Sequence, residues 1–411
     1  MKIKKVICLI LICLLILPVT IVKATDLEVS APMAILMDGR TGKVLYEKHA
    51  YEKAYPASLT KMLTAIVVVE NCNLTDIVTY SNESQEGLPQ GYIVSNLTDG
   101  EQLTVEQMLN LLLISSYNDI ANVLAIHVSG SIEAFTELMN QKAEEIGCKN
   151  SHFTNTNGMH EENHYTTAYD MALISREAMK HESLRDIVAK IYYTLGSTNK
   201  YSGTDRIYET TNGLLLSGNE TGYYEYAKGI KTGFTTPAGS CLASYAIKNE
   251  MELYAVVLKC TTAEERYVSL KSMYEYGFDR YKNEQIATAG ENIQTVDIKG
   301  ATSKTKKMNA VLEENIIALM DSEKEYTIQA QVQINEGLQA PIQKGTQVGT
   351  VKYEIEGITY EANLIAGNDV EKSHMLAFFI FLFLTLIIIF GTIKTIENHR
   401  KKIRMNKIRN M

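Results

Sequence analysis

The chain carries three hydrophobic rhythms. Unbroken apolar runs cover Val6 to Val19 and Met375 to Ile393, the second free of charge over 19 residues. Between them, Met33–Met37 and Lys43–Tyr46 flank the turn Asp38-Gly39-Arg40-Thr41-Gly42, which predicts two short strands. Leu59, Met62, Leu63, Ile66 and Val67 predict a buried helix from about Ser58 to Glu70. A longer helical stretch runs from Thr104 to Val128 and opens on Thr104-Val105-Glu106-Gln107, a capping-box pattern. Tyr169–Lys180 is a further helix, and Ser240–Ile247 and Glu252–Lys259 read as adjacent antiparallel strands. Helices mixed with an antiparallel sheet predict an α+β or α/β core ending near residue 282.

The period then changes to two. Tyr326, Ile328, Ala330, Val332 and Ile334 alternate with Thr327, Gln329, Gln331 and Gln333, and Val351, Tyr353 and Ile355 repeat the pattern before Gly357. Such alternation predicts half-buried strands and a small β-rich domain over 285–366, a spacer or docking module with no catalytic cluster of its own.

The two apolar ends orient the chain. Lys2, Lys4 and Lys5, the run to Val19 and the small-residue site Val22-Lys23-Ala24 predict a secretory signal over 1–24. At ~1.5 Å per residue the 375–393 run spans about 28 Å, close to the ~30 Å hydrocarbon core, and predicts one transmembrane helix. Lys394, Arg400, Lys401, Lys402, Arg404, Lys407 and Arg409 follow, opposed only by Glu397, which marks 394–411 as a cytoplasmic tail. The 25–282 core and the β-rich domain are therefore expected outside the cell membrane. The first 24 residues carry +4 and residues 394–411 a net +6, so the −8 of the whole chain leaves −18 on the stretch between. That balance disfavours nucleic acid as a partner. Beyond the signal, Cys72, Cys148, Cys241 and Cys260 show no CxxC spacing, so zinc and redox motifs are unsupported. A Cys241–Cys260 disulfide and two unpaired buried thiols both remain open.

Three short words carry the chemistry. In Pro56-Ala57-Ser58-Leu59-Thr60-Lys61 a serine opens a buried helix and a lysine returns to the same face one turn later. A serine hydroxyl needs a base, and a lysine of ordinary pKa, about 10.4, cannot be one. Burial or a nearby cation lowers that value. Ser-x-x-Lys recurs at Ser197–Lys200 and Ser303–Lys306, but in polar stretches that open no helix. Ser116-Tyr117-Asn118 follows the apolar Leu111–Ile114; Ser217-Gly218-Asn219 and Ser197-Thr198-Asn199 fit the same pattern without that setting. Polar groups interrupting a buried region are explained if they face a cleft. Lys231-Thr232-Gly233, between Gly229-Ile230 and Phe234-Thr235, reads as a strand beside that cleft, with a cation and a hydroxyl suited to a carboxylate.

With these words in this order, the chain resembles the serine D-alanyl-D-alanine carboxypeptidases, the low-molecular-weight penicillin-binding proteins. The resemblance also rests on Gly100-Glu101-Gln102-Leu103-Thr104-Val105, Leu113–Asp119, Asn157-Gly158-Met159 and Tyr165–Asp170, and covers residues 28–282; it continues less sharply in Pro341–Gly349. It implies an α+β, β-lactamase/transpeptidase-like catalytic domain with an antiparallel sheet and helices on both faces. It also implies the roles. Ser58 is the nucleophile, Lys61 the base and Ser116 a proton relay. Asn118 holds the substrate amide, Lys231 and Thr232 the terminal carboxylate. Gly233 lets substrate approach, and the N–H groups of Ser58 and Phe234 form an oxyanion hole. The implied substrate is a peptidoglycan stem peptide and the implied inhibitors are β-lactams, with no cofactor or metal. Two departures stand out: Tyr117 where a small residue is common, expected to narrow the cleft or reshape its selectivity, and Phe234 where some members have histidine.

Rival readings exist. His160-Glu161-Glu162-Asn163-His164 fits the HExxH zinc pattern, but Asn155–Gly158 before it favours turns and no apolar helix flanks it. A β-lactamase or a DD-endopeptidase would use the same Ser-x-x-Lys chemistry.

Overall fold

The computed structural model describes residues 27–409. The expected signal over 1–24 lies outside them. The chain divides into two compact units, one ending at Arg280 and one beginning at Tyr281.

The first unit is built on a five-stranded antiparallel sheet. Its strands are β1 (Met33–Asp38), β2 (Val44–Lys48), β7 (Ala227–Thr235), β8 (Gly239–Lys248) and β9 (Met251–Cys260), in the order β2-β1-β9-β8-β7. Every residue of β1 is buried, because both faces of the sheet are covered. Ile35 and Met37 join a large core shared with the helices α1 (Thr60–Asn71), α2 (Val105–Ile114), α3 (Asn118–Ser129), α4 (Ile132–Ile146), α5 (Ala168–Ala178) and α6 (Glu182–Val188). On the other face, Leu36 and Leu253 pack against α7 (Ala263–Arg280) at Gly277, where an added Cβ would lie 2.6 Å from Leu253 Cδ1. Two small pairs complete the unit: β3 (Ile77–Thr79) with β4 (Gln102–Thr104), and β5 (Tyr192–Leu195) with β6 (Arg206–Glu209).

Three local differences from the sequence pattern, and one agreement with it, are instructive. The first helix opens as a 3-10 turn over Ala57–Leu59 before α1 begins at Thr60. The capping box forms as expected, with Gln107 N donating to Thr104 Oγ1 at 3.1 Å and Thr104 N to Gln107 Oε1 at 2.8 Å. The Thr104–Val128 stretch, however, is two helices. It breaks at Ser115–Tyr117, where Ser116 takes φ +64° and α3 restarts at Asn118. Its apolar residues keep one helical period across the break, so spacing alone hides it. In the second unit only Ala330–Ile334 of the alternating 326–334 stretch is a strand. The Tyr326 hydroxyl instead accepts from Asp321 N, so alternation without a pairing partner made no strand there.

The second unit holds β10 (Tyr281–Ala287) paired with β13 (Ile316–Asp321), and a five-stranded antiparallel sheet. The sheet runs β11-β12-β16-β15-β14, with β11 Asn292–Asp297, β12 Lys307–Leu312, β14 Ala330–Ile334, β15 Gln347–Ile355 and β16 Ile358–Ala366. Met308, Ala310, Leu312, Val348, Val351 and Leu364 form its own core. A 35-residue helix, α8 (Met375–Arg409), follows. Its apolar part has a mean hydropathy of 2.4 and is not buried in the protein, and the helix runs on through the basic tail rather than ending at residue 393.

Candidate active site

Ser58, Ser116, Asn118, Thr232, Gly233 and Phe234 line one cleft of about 500 Å³. Lys61 and Lys231 lie beneath it, both fully buried. The three words, with Ser58 and Gly233 175 positions apart, thus converge on one place. Their decoys Ser197, Ser217 and Ser303 sit exposed on loops or turns.

Each wall has a local cause. Ser58 stands in the 3-10 turn that feeds α1, whose first nine residues are all buried. Lys61 is the fourth residue of the motif, so its chain passes back up the same face. Its Nζ reaches Ser58 Oγ at 3.0 Å, Asn118 Oδ1 at 2.7 Å and the Asn157 carbonyl at 2.9 Å. Asn118 is aimed by Ile93, whose carbonyl accepts from both Asn118 N at 3.0 Å and Asn118 Nδ2 at 2.9 Å. Asp119 beside it is buried and accepts from Tyr80 Oη at 2.8 Å and Ser95 Oγ at 2.6 Å, which pins the 92–97 segment over the cleft. Lys231 and Thr232 lie on β7, the edge strand. Lys231 Nζ donates to the Thr232 carbonyl at 3.1 Å, and Thr232 Oγ1 is 2.7 Å from Thr211 Oγ1. Phe234 is 64% exposed, so its side chain sits at the rim.

The electrostatics disfavour charge on both lysines. Burial, and then the Lys231 charge, hold the Lys61 amine well below its ordinary pKa, with Asp119 opposing. Burial and then Arg266 lower Lys231 to about 7. A neutral amine has two N–H groups and one lone pair. Two of the three Lys61 partners are carbonyl oxygens, which only accept. A charged amine donates to all three; only an amine that has lost its proton keeps a lone pair for the third, and in that state the Ser58 hydroxyl can donate to Lys61 Nζ. That is the arrangement a serine nucleophile needs before it reacts.

Several contributors escaped the sequence reading. Asn157-Gly158 was noticed only as part of the resemblance. Gly158 has φ +89°, and an added Cβ would lie 1.8 Å from the Ala57 carbonyl oxygen and 2.9 Å from Ser58 N. Gly233 approaches the same backbone from the other side, its built Cβ 3.1 Å from Ser58 N. The Ser58 backbone is therefore clasped between two glycines. Arg266, on α7, lines the cleft and adds a buried cation near Lys231. It lies in the charged run Glu264-Glu265-Arg266, where it looks like any solvated helix residue. Tyr117, expected to narrow the cleft, is not part of its lining.

The HExxH stretch lies in a loop, with a turn at Glu162–Asn163. His164 is buried: its Nδ1 accepts from Thr154 N at 3.0 Å, so Nε2 donates to Thr60 Oγ1 at 2.8 Å. Burial, then His152 and His160, lower its pKa to about 3 and keep it neutral. It buttresses the residue two places after the nucleophile. Among the described residues no three His, Cys, Asp or Glu side chains are grouped to hold a metal ion. The four cysteines Cys72, Cys148, Cys241 and Cys260 are free thiols.

A serine hydroxyl within hydrogen-bond reach of a buried amine, in a cleft that Arg266 also lines, is the arrangement that a serine acyl-transfer site requires. Comparison with known proteins gives the family. The description D-alanyl-D-alanine carboxypeptidase matches residues 19–262, and penicillin-binding protein 5, C-terminal domain, matches residues 281–372. The chain is 31% identical over 365 residues to the D-alanyl-D-alanine carboxypeptidase DacF of Bacillus subtilis, covering 87% of this chain and 90% of that one. The solved structure of penicillin-binding protein 5 from Haemophilus influenzae is similar with a TM-score of 0.65 at 28% identity, over 85% of this chain and 99% of its own. That of the Streptomyces K15 DD-transpeptidase gives 0.58 at 29% identity, over 62% of this chain and 99% of its own. The chain belongs to the D-alanyl-D-alanine carboxypeptidase family.

Gly158→Ala is expected to slow acylation of the protein by a fluorescent penicillin by on the order of a hundredfold, because the new methyl displaces Ala57 and Ser58 together. The check is the labelling rate, with circular dichroism showing a folded protein; an unchanged rate would mean that the glycine clasp does not set the nucleophile.

Proposed function

We propose that this chain is a serine-type D-Ala-D-Ala carboxypeptidase that removes the terminal D-alanine from peptidoglycan stem pentapeptides and is acylated by β-lactams at Ser58. The observation that carries the reading is the Ser58–Lys61 contact at 3.0 Å, with both other Lys61 partners restricted to accepting.

The steps follow from the groups in place. The Ser58 proton passes to Lys61 Nζ as Oγ attacks the carbonyl carbon of the penultimate D-Ala. The oxyanion that forms is met by the N–H groups of Ser58 and Phe234, each worth roughly 3–4 kcal/mol in comparable sites. Asn118 holds the substrate amide, and Lys231 with Thr232 holds the terminal carboxylate. Arg266 adds its charge to that end of the cleft. The C–N bond breaks as the leaving amine takes a proton through the Ser116 hydroxyl. Water then attacks the ester, its proton again going to Lys61, and Ser58 is restored.

We further read the chain as a single-pass membrane protein. The catalytic and β-rich domains face outward, α8 crosses the bilayer, and the basic turns after residue 393 lie on the cytoplasmic side. The support is the uncharged 19-residue run and the one-sided charge that follows it.

Mass spectrometry after penicillin treatment is expected to find one adduct, on the peptide that holds Ser58. Ser58→Ala is expected to lose both that adduct and D-Ala release. Release that survives the substitution would overturn the reading, and rapid multiple turnover of a chromogenic cephalosporin would move it to a β-lactamase.

The pH profile is a separate check. In the free enzyme kcat/KM should fall on the acid side as Lys61 takes up a proton. It should fall on the alkaline side, through about 7, as Lys231 loses the charge that holds the substrate carboxylate. Lys231→Arg keeps a cation throughout, so its alkaline limb should move to higher pH. An alkaline limb that stays in place would show that Lys231 does not set it.

A further inference from the structure

Tyr117 sits between two residues of the site yet does not line the cleft. Its ring turns away and meets Tyr208 of β6 edge-on, with centroids 6.0 Å apart and planes at 86°. Tyr208 is buried and is not itself among the residues that line the cleft. Its hydroxyl donates to Asn96 Oδ1 at 3.0 Å, and its ring stacks on Tyr193 of β5 at 6.3 Å. It therefore joins two walls of the site. Through Asn96 it holds the segment whose Ile93 carbonyl aims Asn118, and through Tyr117 it holds the corner between α2 and α3. The strand that carries it is itself fixed, because Arg206 Nη2 meets the buried Glu101 Oε1 at 2.6 Å.

The corner needs such support. Ser116 has a left-handed backbone at φ +64°, a conformation that a serine keeps only where its surroundings impose it. Its side chain is short, so the hydroxyl goes where the backbone places it. On the C-terminal side Asn118 is held by Ile93 and Lys61. Immediately next to Ser116, the grip is the Tyr117 ring in its seat against Tyr208. An edge-to-face pair is directional as well as apolar, so it fixes orientation in a way an aliphatic contact does not.

We propose that Tyr117 and Tyr208 are a positioning pair that sets the Ser116 hydroxyl for proton transfer to the leaving amine. The pair acts through Ser116 and touches no substrate. The inference rests on the acyl-transfer reading above.

The test compares Tyr117→Leu, Tyr208→Leu, Tyr117→Phe, Tyr208→Phe and the double leucine variant. Competent sites are counted by end-point titration with a fluorescent penicillin, and kcat and KM are measured on a D-Ala-D-Ala peptide. Each leucine variant is expected to lower kcat per titrated site on the order of tenfold, with KM nearly unchanged. Tyr117→Phe keeps the ring pair and should keep kcat; Tyr208→Phe keeps the pair but loses the bond to Asn96 Oδ1, so it should retain more kcat than Tyr208→Leu. The double variant should be no worse than Tyr208→Leu alone, because both substitutions remove the same ring contact and Tyr208→Leu already removes the Asn96 bond. Unchanged kcat per titrated site, with only fewer sites, would overturn the proposal, as would losses that multiply in the double variant. If Tyr208→Leu does not fold, Tyr117→Leu tests the pair from its other side. Absence of an adduct on the unaltered protein would overturn the acyl-enzyme reading itself, and is distinct from any result with the variants.

Discussion

Everything in the catalytic unit turns on one buried amine. A lysine ammonium is costly to remove from water, and the usual escape is loss of the proton. Lys61 is placed so that this escape is useful. It is fully buried, and that burial together with the charge of a second buried lysine holds its pKa well below the ordinary value. The same burial that would be a defect elsewhere favours the uncharged form of the amine, the form that the proposed role as base requires.

The fold supplies that burial. A sheet covered on both faces gives a stiff platform, and its edge strand carries Lys231-Thr232-Gly233 beside the start of α1. Helix α1 is apolar on nearly every side and can be sunk into the core, taking Lys61 with it. Its polar exceptions are paid off in hydrogen bonds. Thr60 meets His164, and Thr64 Oγ1 donates to the Thr156 carbonyl at 2.6 Å. Those contacts tie α1 to the 154–158 loop, which in turn delivers the Asn157 carbonyl and Gly158. The site is thus a junction of segments that hold one another, rather than a set of residues on one rigid element.

Much of this was legible in the sequence. The buried helix with serine and lysine one turn apart, the capping box at Thr104 and the hairpin of β8 and β9 all follow from spacing and turn chemistry. What spacing could not show was any feature decided by distant backbone. The break at Ser116 is set by Ile93 and by neighbouring rings, while the apolar period runs straight through it. Gly158 matters because Ala57 lies 101 positions away in sequence but against it in space. Arg266 shares its helix with ordinary surface charges and is distinguished only by the face it occupies. The HExxH stretch is the converse case. It has the letters of a metal site, yet His164 is spent on Thr60 and Thr154, and the loop gives the histidines no common helical face.

The central claim is that Lys61 is neutral in the resting enzyme, and neutron diffraction from deuterium-exchanged crystals at neutral pH addresses it directly. The account requires two deuterons on Nζ, directed at Asn118 Oδ1 and the Asn157 carbonyl, and a Ser58 deuteron directed at Nζ. Three deuterons on Nζ, one of them directed at Ser58 Oγ, would contradict it.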